Sequence, residues 1–187
     1  MRKNFAKAIK VFGKSEQLYI ARRESDVFLS EGHIIEKVSV YEYNEFFRPA
    51  SGRFVELKDG EKVGSRDGGI PEKANGLDII RLWDEYEKNS TFLVNITPFL
   101  MEYSPDGKKK ALQRMLTGNG YYVAINNNYY ELYDEMDDLP GFFWNGGNSI
   151  SGVFAQSENK GIVILPIRMN QKQFDNFIQA GMKKNDN

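Results

Sequence analysis

The 187-residue sequence predicts an α+β domain built on antiparallel sheets with four or five helices. Three observations carry that prediction. Short apolar runs alternate with turn clusters, as antiparallel strands require. Between them lie segments whose apolar residues recur every three or four positions, the helical period. An apolar hairpin running into a short aromatic helix also occurs twice, around Leu18 to Phe47 and around Phe92 to Tyr133, so two pseudo-repeated hairpin–helix halves are expected.

The first element is a helix, because Phe5, Ala8, Ile9 and Phe12 fall on one face while Lys3, Lys7, Lys10 and Lys14 lie off that stripe. Gly13 is placed to end it. Leu18 to Ala21 and Val27 to Leu29 read as strands around the polar turn Arg23-Glu24-Ser25-Asp26, and Ile34 to Val40 continues extended after Glu31-Gly32-His33. Tyr41 to Phe47 reads as a short helix closed by Pro49, since proline holds its predecessor extended. Residues 48–76 are rich in glycine and proline, with one hairpin expected around Lys58-Asp59-Gly60-Glu61. The chain is thus expected to form one domain over 1–187, with halves 1–60 and 77–187 joined by a Gly-rich connector at 61–76. Asn75 and Asp78 form a cap pair for a helix over Leu77 to Lys88.

In the second half, Phe92 to Tyr103 and Lys109 to Leu116 flank Ser104-Pro105-Asp106-Gly107, the strongest turn signal in the chain. Tyr121 to Asn126 reads as a strand and Asn128 to Met136 as a short helix. Phe142 to Trp144, Ile150 to Gln156 and Gly161 to Arg168 read as three further strands. A last helix opens at Asn170 with Gln173 as its capping partner and stops near Gly181.

Composition excludes several function classes. With no cysteine there is no disulfide, thiolate zinc site or cysteine nucleophile. No run approaches the ~18 apolar residues of a membrane span. The N-terminal stretch is interrupted by lysine every few residues, unlike a signal peptide, so a cytoplasmic protein without a membrane partner is expected. Sixteen Asn and sixteen Lys reflect A/T-rich codons, a bias shared by low-GC bacteria, their phages and their mobile elements. The net charge of −1 conceals an asymmetry, for residues 1–23 carry +6 and the remainder −7. A basic head on an acidic body points to an anionic partner.

The candidate binding residues follow from that asymmetry. Arg2, Lys3, Lys7, Lys10 and Lys14, extended by Arg22 and Arg23, suit a phosphate backbone or an acidic protein surface. Lys108, Lys109 and Lys110 add a smaller basic patch at a hairpin tip. Glu131, Asp134, Glu135, Asp137 and Asp138 form an acidic run suited to docking a basic partner, without the spacing or the glycine of a calcium loop. Phe142-Phe143-Trp144, beside a glycine-rich bend, offers rings for base stacking or for anchoring a protein. Chemistry is poorly represented. His33 is the single histidine, no nucleophile elbow surrounds any serine, and Gly64 to Gly69 lacks the phosphate-loop lysine. No catalytic residue, metal or cofactor is expected.

Residues 121–168 run strand, Asn-rich helix start, aromatic helix, then strands ending in Ile164-Leu165-Pro166-Ile167-Arg168. This order resembles the last domain of the bacterial DNA polymerase sliding clamp, which closes on a hydrophobic–Pro–hydrophobic–Arg strand. The resemblance implies a clamp-like fold. It does not imply a ring around DNA, because Tyr41 to Phe47 and Asn128 to Asp138 are acidic where a clamp's DNA-facing helices are basic. The expected function is a non-enzymatic binding protein of phage or mobile-element type. It would act on nucleic acid, or on a complex that processes it, through the basic N-terminal helix. The alternatives are a protein-directed inhibitor of a host nucleoprotein, such as an anti-CRISPR factor, and a carboxylate–metal enzyme.

Overall fold

The computed structural model describes residues 5–73, 77–103, 111–134, 136, 139, 141–158, 160–168 and 175. Within them the chain forms α1 (Ala6–Lys14), β1 (Leu18–Arg23), β2 (Asp26–Ser30), β3 (Ile34–Ser39) and α2 (Val40–Glu42). A π-helical turn (Tyr43–Phe47) and a 3₁₀ turn (Arg48–Ala50) extend α2. Then come β4 (Lys62–Ser65), β5 (Glu72–Lys73) and α3 (Ile79–Asn89). The second half is β6 (Phe92–Tyr103), β7 (Ala111–Thr117), β8 (Tyr122–Asn126), α4 (Asn127–Asp134), β9 (Phe142–Asn145), β10 (Val153–Gln156) and β11 (Gly161–Ile164). The turn at 104–107 and, Asp175 apart, the expected helix from Asn170 lie outside the described residues.

All eleven strands join one antiparallel sheet in the order β5-β4-β1-β2-β3-β11-β10-β9-β6-β7-β8. The two halves repeat one topology. In each, a three-stranded meander enters a helix, and the strand after the helix returns to pair with the first strand of the meander, giving β4-β1-β2-β3 and β9-β6-β7-β8. That four-strand order is the Greek key. β10 and β11 complete the second half, and β11 pairs with β3 to join it to the first. The stretch 61–76 carries β4 and β5, so the first half's pairing runs past residue 60.

Strand alternation divides the apolar residues between two faces. Leu18 and Ile20 of β1, Val27 and Leu29 of β2, and Ile162 and Ile164 of β11 point into a core shared by both halves. Val94, Leu116, Val123, Ile125 and Phe143 of the second half enter the same core. α1, α2 with its π turn, and α4 cover this face through Ala8, Phe12, Tyr43, Phe47, Leu132 and Tyr133. The opposite face packs Tyr19, Ala21, Phe28, Ile35, Phe154 and Val163 under α3, through Ile79 and Trp83. Gly161 makes that packing possible, since a β-carbon there would stand 2.5 Å from the Trp83 ring.

Turn chemistry fixes the ends. The β1–β2 hairpin closes in two residues, with Glu24 at φ 55 and its N–H bonded to Asp59 at 2.6 Å. α3 starts at Asp78, whose carboxylate accepts from Arg81 N–H at 3.1 Å and from Lys62 Nζ at 2.6 Å. Asp78 is therefore the cap itself and not the cap's downstream acid; Asn75 lies outside the described residues. After β11 the chain continues extended. Leu165 N–H donates to His33 carbonyl, and Ile167 N–H donates to Ala124 carbonyl on β8 at 2.8 Å. The second half thus curls until the extension of its last strand meets its edge strand. Among the described residues no helix is long and apolar enough to cross a membrane.

Candidate partner-binding surface

α1 is fixed to the body along its whole length. Phe5 stacks on Phe46 with ring centroids 4.2 Å apart and meets Phe47 edge-on at 5.8 Å. Ala8 and Phe12 are fully buried. At the other end, the Arg53 guanidinium donates to the carbonyls of Gly13 at 3.1 Å, Ser15 at 2.5 Å and Gly69 at 3.0 Å. The first two bonds satisfy acceptors that a helix end leaves without partners, and the third ties the helix end to the bend at Gly69.

On this fixed helix the basic residues separate into two kinds. Lys7 is ion-paired with Glu131 of α4, so a member of the basic head and a member of the acidic run neutralise each other. Lys10 and Lys14 face solvent. Four residues apart, they are neighbours on one helix face, with β-carbons about 6 Å apart. Lys14 also sits in the last turn, where the helix dipole favours a cation.

Arg22 and Arg23 do not extend that face as one patch. Strand alternation sends them to opposite sides of β1. Arg22 donates to Leu57 carbonyl at 3.0 Å and to Glu24 carbonyl at 3.2 Å. Arg23 grips both carboxylate oxygens of Asp84 at 2.8 and 2.9 Å and lies over the Phe28 ring. Arg2, Lys3, Lys108, Lys109 and Lys110 lie outside the described residues, as do Glu135, Asp137 and Asp138. Of the remaining acidic run, Glu131 also accepts from Asn127 at 2.8 Å, and Asp134 is exposed.

His33 is exposed, with Nδ1 3.5 Å from Glu31 Oε1. The hydrogen bond to Glu31 raises its pKa above the ordinary 6.5. The same Glu31 oxygen accepts from the Tyr129 hydroxyl of α4 at 2.8 Å, and burial raises the pKa of that phenol. The glycine-rich bend at 66–69 is filled by its own carboxylate. Asp67 accepts from Gly69 N–H at 3.0 Å and from Ser65 Oγ at 3.1 Å, and these bonds hold its pKa below the usual carboxylate value. Among the described residues no three His, Asp or Glu side chains converge as metal ligands do. The Arg53 clamp, the Lys7–Glu131 pair and the Glu31–Tyr129 bond all join residues remote in sequence, and no local spacing signals them.

The chain is similar in fold to bacterial sliding clamps. The DNA polymerase III subunit beta of Borrelia burgdorferi, solved in complex with a natural product, superposes with a TM-score of 0.39 at 14% identity, covering 90% of this chain and 63% of that one. The sliding clamp of Pseudomonas aeruginosa, bound to griselimycin, superposes with a TM-score of 0.38 at 10% identity, covering 90% of this chain and 60% of the other. The chain thus spans less than two thirds of the length of either protein. No protein-family model and no curated protein matches it.

Proposed function

We propose that this is a non-enzymatic binding protein, of phage or mobile-element type, that acts in the cytoplasm on nucleic acid or on a complex that processes it. The observation that carries the reading is the fixed presentation of Lys10 and Lys14 on a helix whose apolar face is locked into the core. Cations held on a rigid element meet phosphates with little ordering cost, whereas lysines on a loose segment must first be immobilised. Each phosphate neutralised on duplex DNA releases condensed counterions and adds about −0.9 to the slope of log affinity against log salt. Two contacts alone make a weak binder, so Arg2 and Lys3 of the same basic head belong to the proposed interface. The test is fluorescence anisotropy with labelled duplex and single-stranded DNA across a salt series. Binding with a slope steeper than about −1.5 supports the reading. Absence of binding at low salt to either form contradicts direct nucleic-acid contact.

A second reading is a protein-directed inhibitor of a host nucleoprotein, an anti-CRISPR factor being one such kind. It is favoured by apolar side chains left exposed on the sheet beyond the end of α3, Leu93 and Trp144.

A further inference from the structure

The face of the sheet under α3 carries an apolar row that outruns the helix covering it. Phe154 lies beneath α3 and meets Trp83 at 5.1 Å. The row continues through Trp144, the cross-strand partner of Phe154, and then Leu93, the partner of Trp144, both beyond the helix end at Asn89. Trp144 is 36% and Leu93 43% exposed. Beside them, the last turns of α3 and the β9–β10 loop enclose a groove of about 280 Å³ with Leu82, Tyr86 and Ile150 as apolar walls. Ile150 is 67% exposed. A second depression of about 380 Å³ shares Ser90 with the groove and is lined by Trp144 and Phe154.

The loop wall is built by its own hydrogen bonds. Asn148 Oδ1 accepts from Ile150 N–H at 3.0 Å, Ser151 N–H at 2.8 Å and Ser151 Oγ at 3.0 Å. The fully buried Asn145 donates to Asn148 carbonyl at 2.9 Å and accepts from Gly147 N–H and the Tyr121 hydroxyl. Gly152 lets the loop lie directly on Tyr86, for a β-carbon there would be 2.6 Å from the ring. A groove already shaped in this way spares a partner the cost of ordering it.

Charge selects the partner. The two depressions are lined by Glu85 and Glu87 and by no lysine or arginine. They also lie at the carboxyl end of α3, where the helix dipole favours cations such as the Lys88 of its last turn. Glu85 is shared with Arg81 at 3.6 Å, and Glu87 accepts from Gln156 at 2.5 Å, so both carboxylates are held in place. Arg81 and Lys88 stand on the same helix outside the lining, but the lining itself is acidic, which favours a basic protein segment over a phosphate backbone.

We infer that this groove docks a segment of a partner protein that carries an apolar anchor side chain flanked by lysine or arginine. The anchor enters between Tyr86 and Ile150, Trp144 and Leu93 cover its neighbour, and the flanking cations meet Glu85, Glu87 and the end of α3. The surface lies on the opposite face of the sheet from α1, so it stands or falls separately from the α1 lysines.

The test is an amide NMR titration of the full chain with three capped pentapeptides, each with a central phenylalanine flanked by lysines, by serines or by glutamates. The lysine peptide should shift the Ser90, Gly146 and Gly152 amides and bind roughly fivefold tighter than the glutamate peptide, the scale of two exposed charge pairs. Glu85→Gln with Glu87→Gln should bring the two peptides within about twofold, by loss of those same pairs. Ile150→Ser, at an exposed position that leaves the fold intact, should weaken all three peptides. A lysine peptide that leaves these amides unmoved, or that binds no better than the glutamate peptide, overturns the inference. Single-stranded DNA is the fourth titrant. Shifts at the same three amides on its addition also overturn the inference by assigning the rings to bases.

Discussion

Gly161→Ala tests how α3 is seated on the sheet. The added β-carbon would stand 2.5 Å from Trp83 Cη2, 2.9 Å from Cζ2 and 2.9 Å from Gln156 Cβ. Carbon atoms rest about 3.5–4.0 Å apart, so the ring or the strand must give by roughly 1 Å. The ring has nowhere to swing. Phe28 stands 5.4 Å and Phe154 5.1 Å from it, both edge-on, and Trp83 is 1% exposed. Overpacking of this kind costs about 1–3 kcal/mol. Against a total of roughly 5–15 kcal/mol the variant still folds. In urea unfolding, with a slope of about 1–3 kcal/mol per molar, the midpoint should fall by roughly 1 M. Trp83→Phe removes the atoms that clash and costs part of the ~3–5 kcal/mol of full truncation. In the double variant the methyl group added on β11 enters the space vacated by the indole. The two changes should therefore couple favourably by about 1 kcal/mol or more. Additivity within about 0.5 kcal/mol would refute the packing argument.

Ile164→Ala, in the sixth of the eleven strands and fully buried, should lower stability by about 2–5 kcal/mol in the same assay, whereas a loss within error would contradict its place in the shared core. The pKa of His33 is raised by its bond to Glu31, so its contribution to stability is complete below pH 6.5 and disappears as pH rises through the higher folded value. NMR titration should find the imidazole above 6.5 in the native chain and back near 6.5 in Glu31→Gln, and an unchanged value in the variant would remove Glu31 as the cause. Limited trypsin digestion should cut at Arg66, in an exposed bend, before Lys62, which lies in β4 and is bonded to Asp78. The reverse order would show that β4 is not held as described.

Alternation along the strands made much of the sheet legible. Phe92 to Tyr103 is a strand over the expected residues, and the Gly161 run takes its place at the centre of the sheet. β4 is hard to read from the sequence because it is only four residues long and has glycine in its interior. Tyr41 to Phe47 read as one short helix and is an α turn running into a π turn, which places Tyr43 and Phe47 in the core together. The candidate surface was less legible, because formal charges along a sequence do not reveal their partners. Lys7 and Glu131, 124 positions apart, looked like members of two patches and form one ion pair. The opposed directions of Arg22 and Arg23, by contrast, follow from the two-residue period of a strand. The groove beside Trp144 needs α3 to end where it does and the β9–β10 loop to fold back on Tyr86, and neither is written in local spacing.

The most direct measurement is the salt dependence of DNA affinity for the native chain and for Lys10→Gln with Lys14→Gln. Neither lysine is buried, and the stripe of Phe5, Ala8 and Phe12 is untouched, so thermal unfolding should be unchanged within about 0.5 kcal/mol. Loss of two phosphate contacts should make the log–log slope shallower by about 1.8 on duplex DNA. A control variant, Lys7→Gln, removes a charge already neutralised by Glu131 and should change the slope far less. If the double variant binds with the native affinity and slope, α1 is a solubilised piece of scaffold and the proposed interface is wrong.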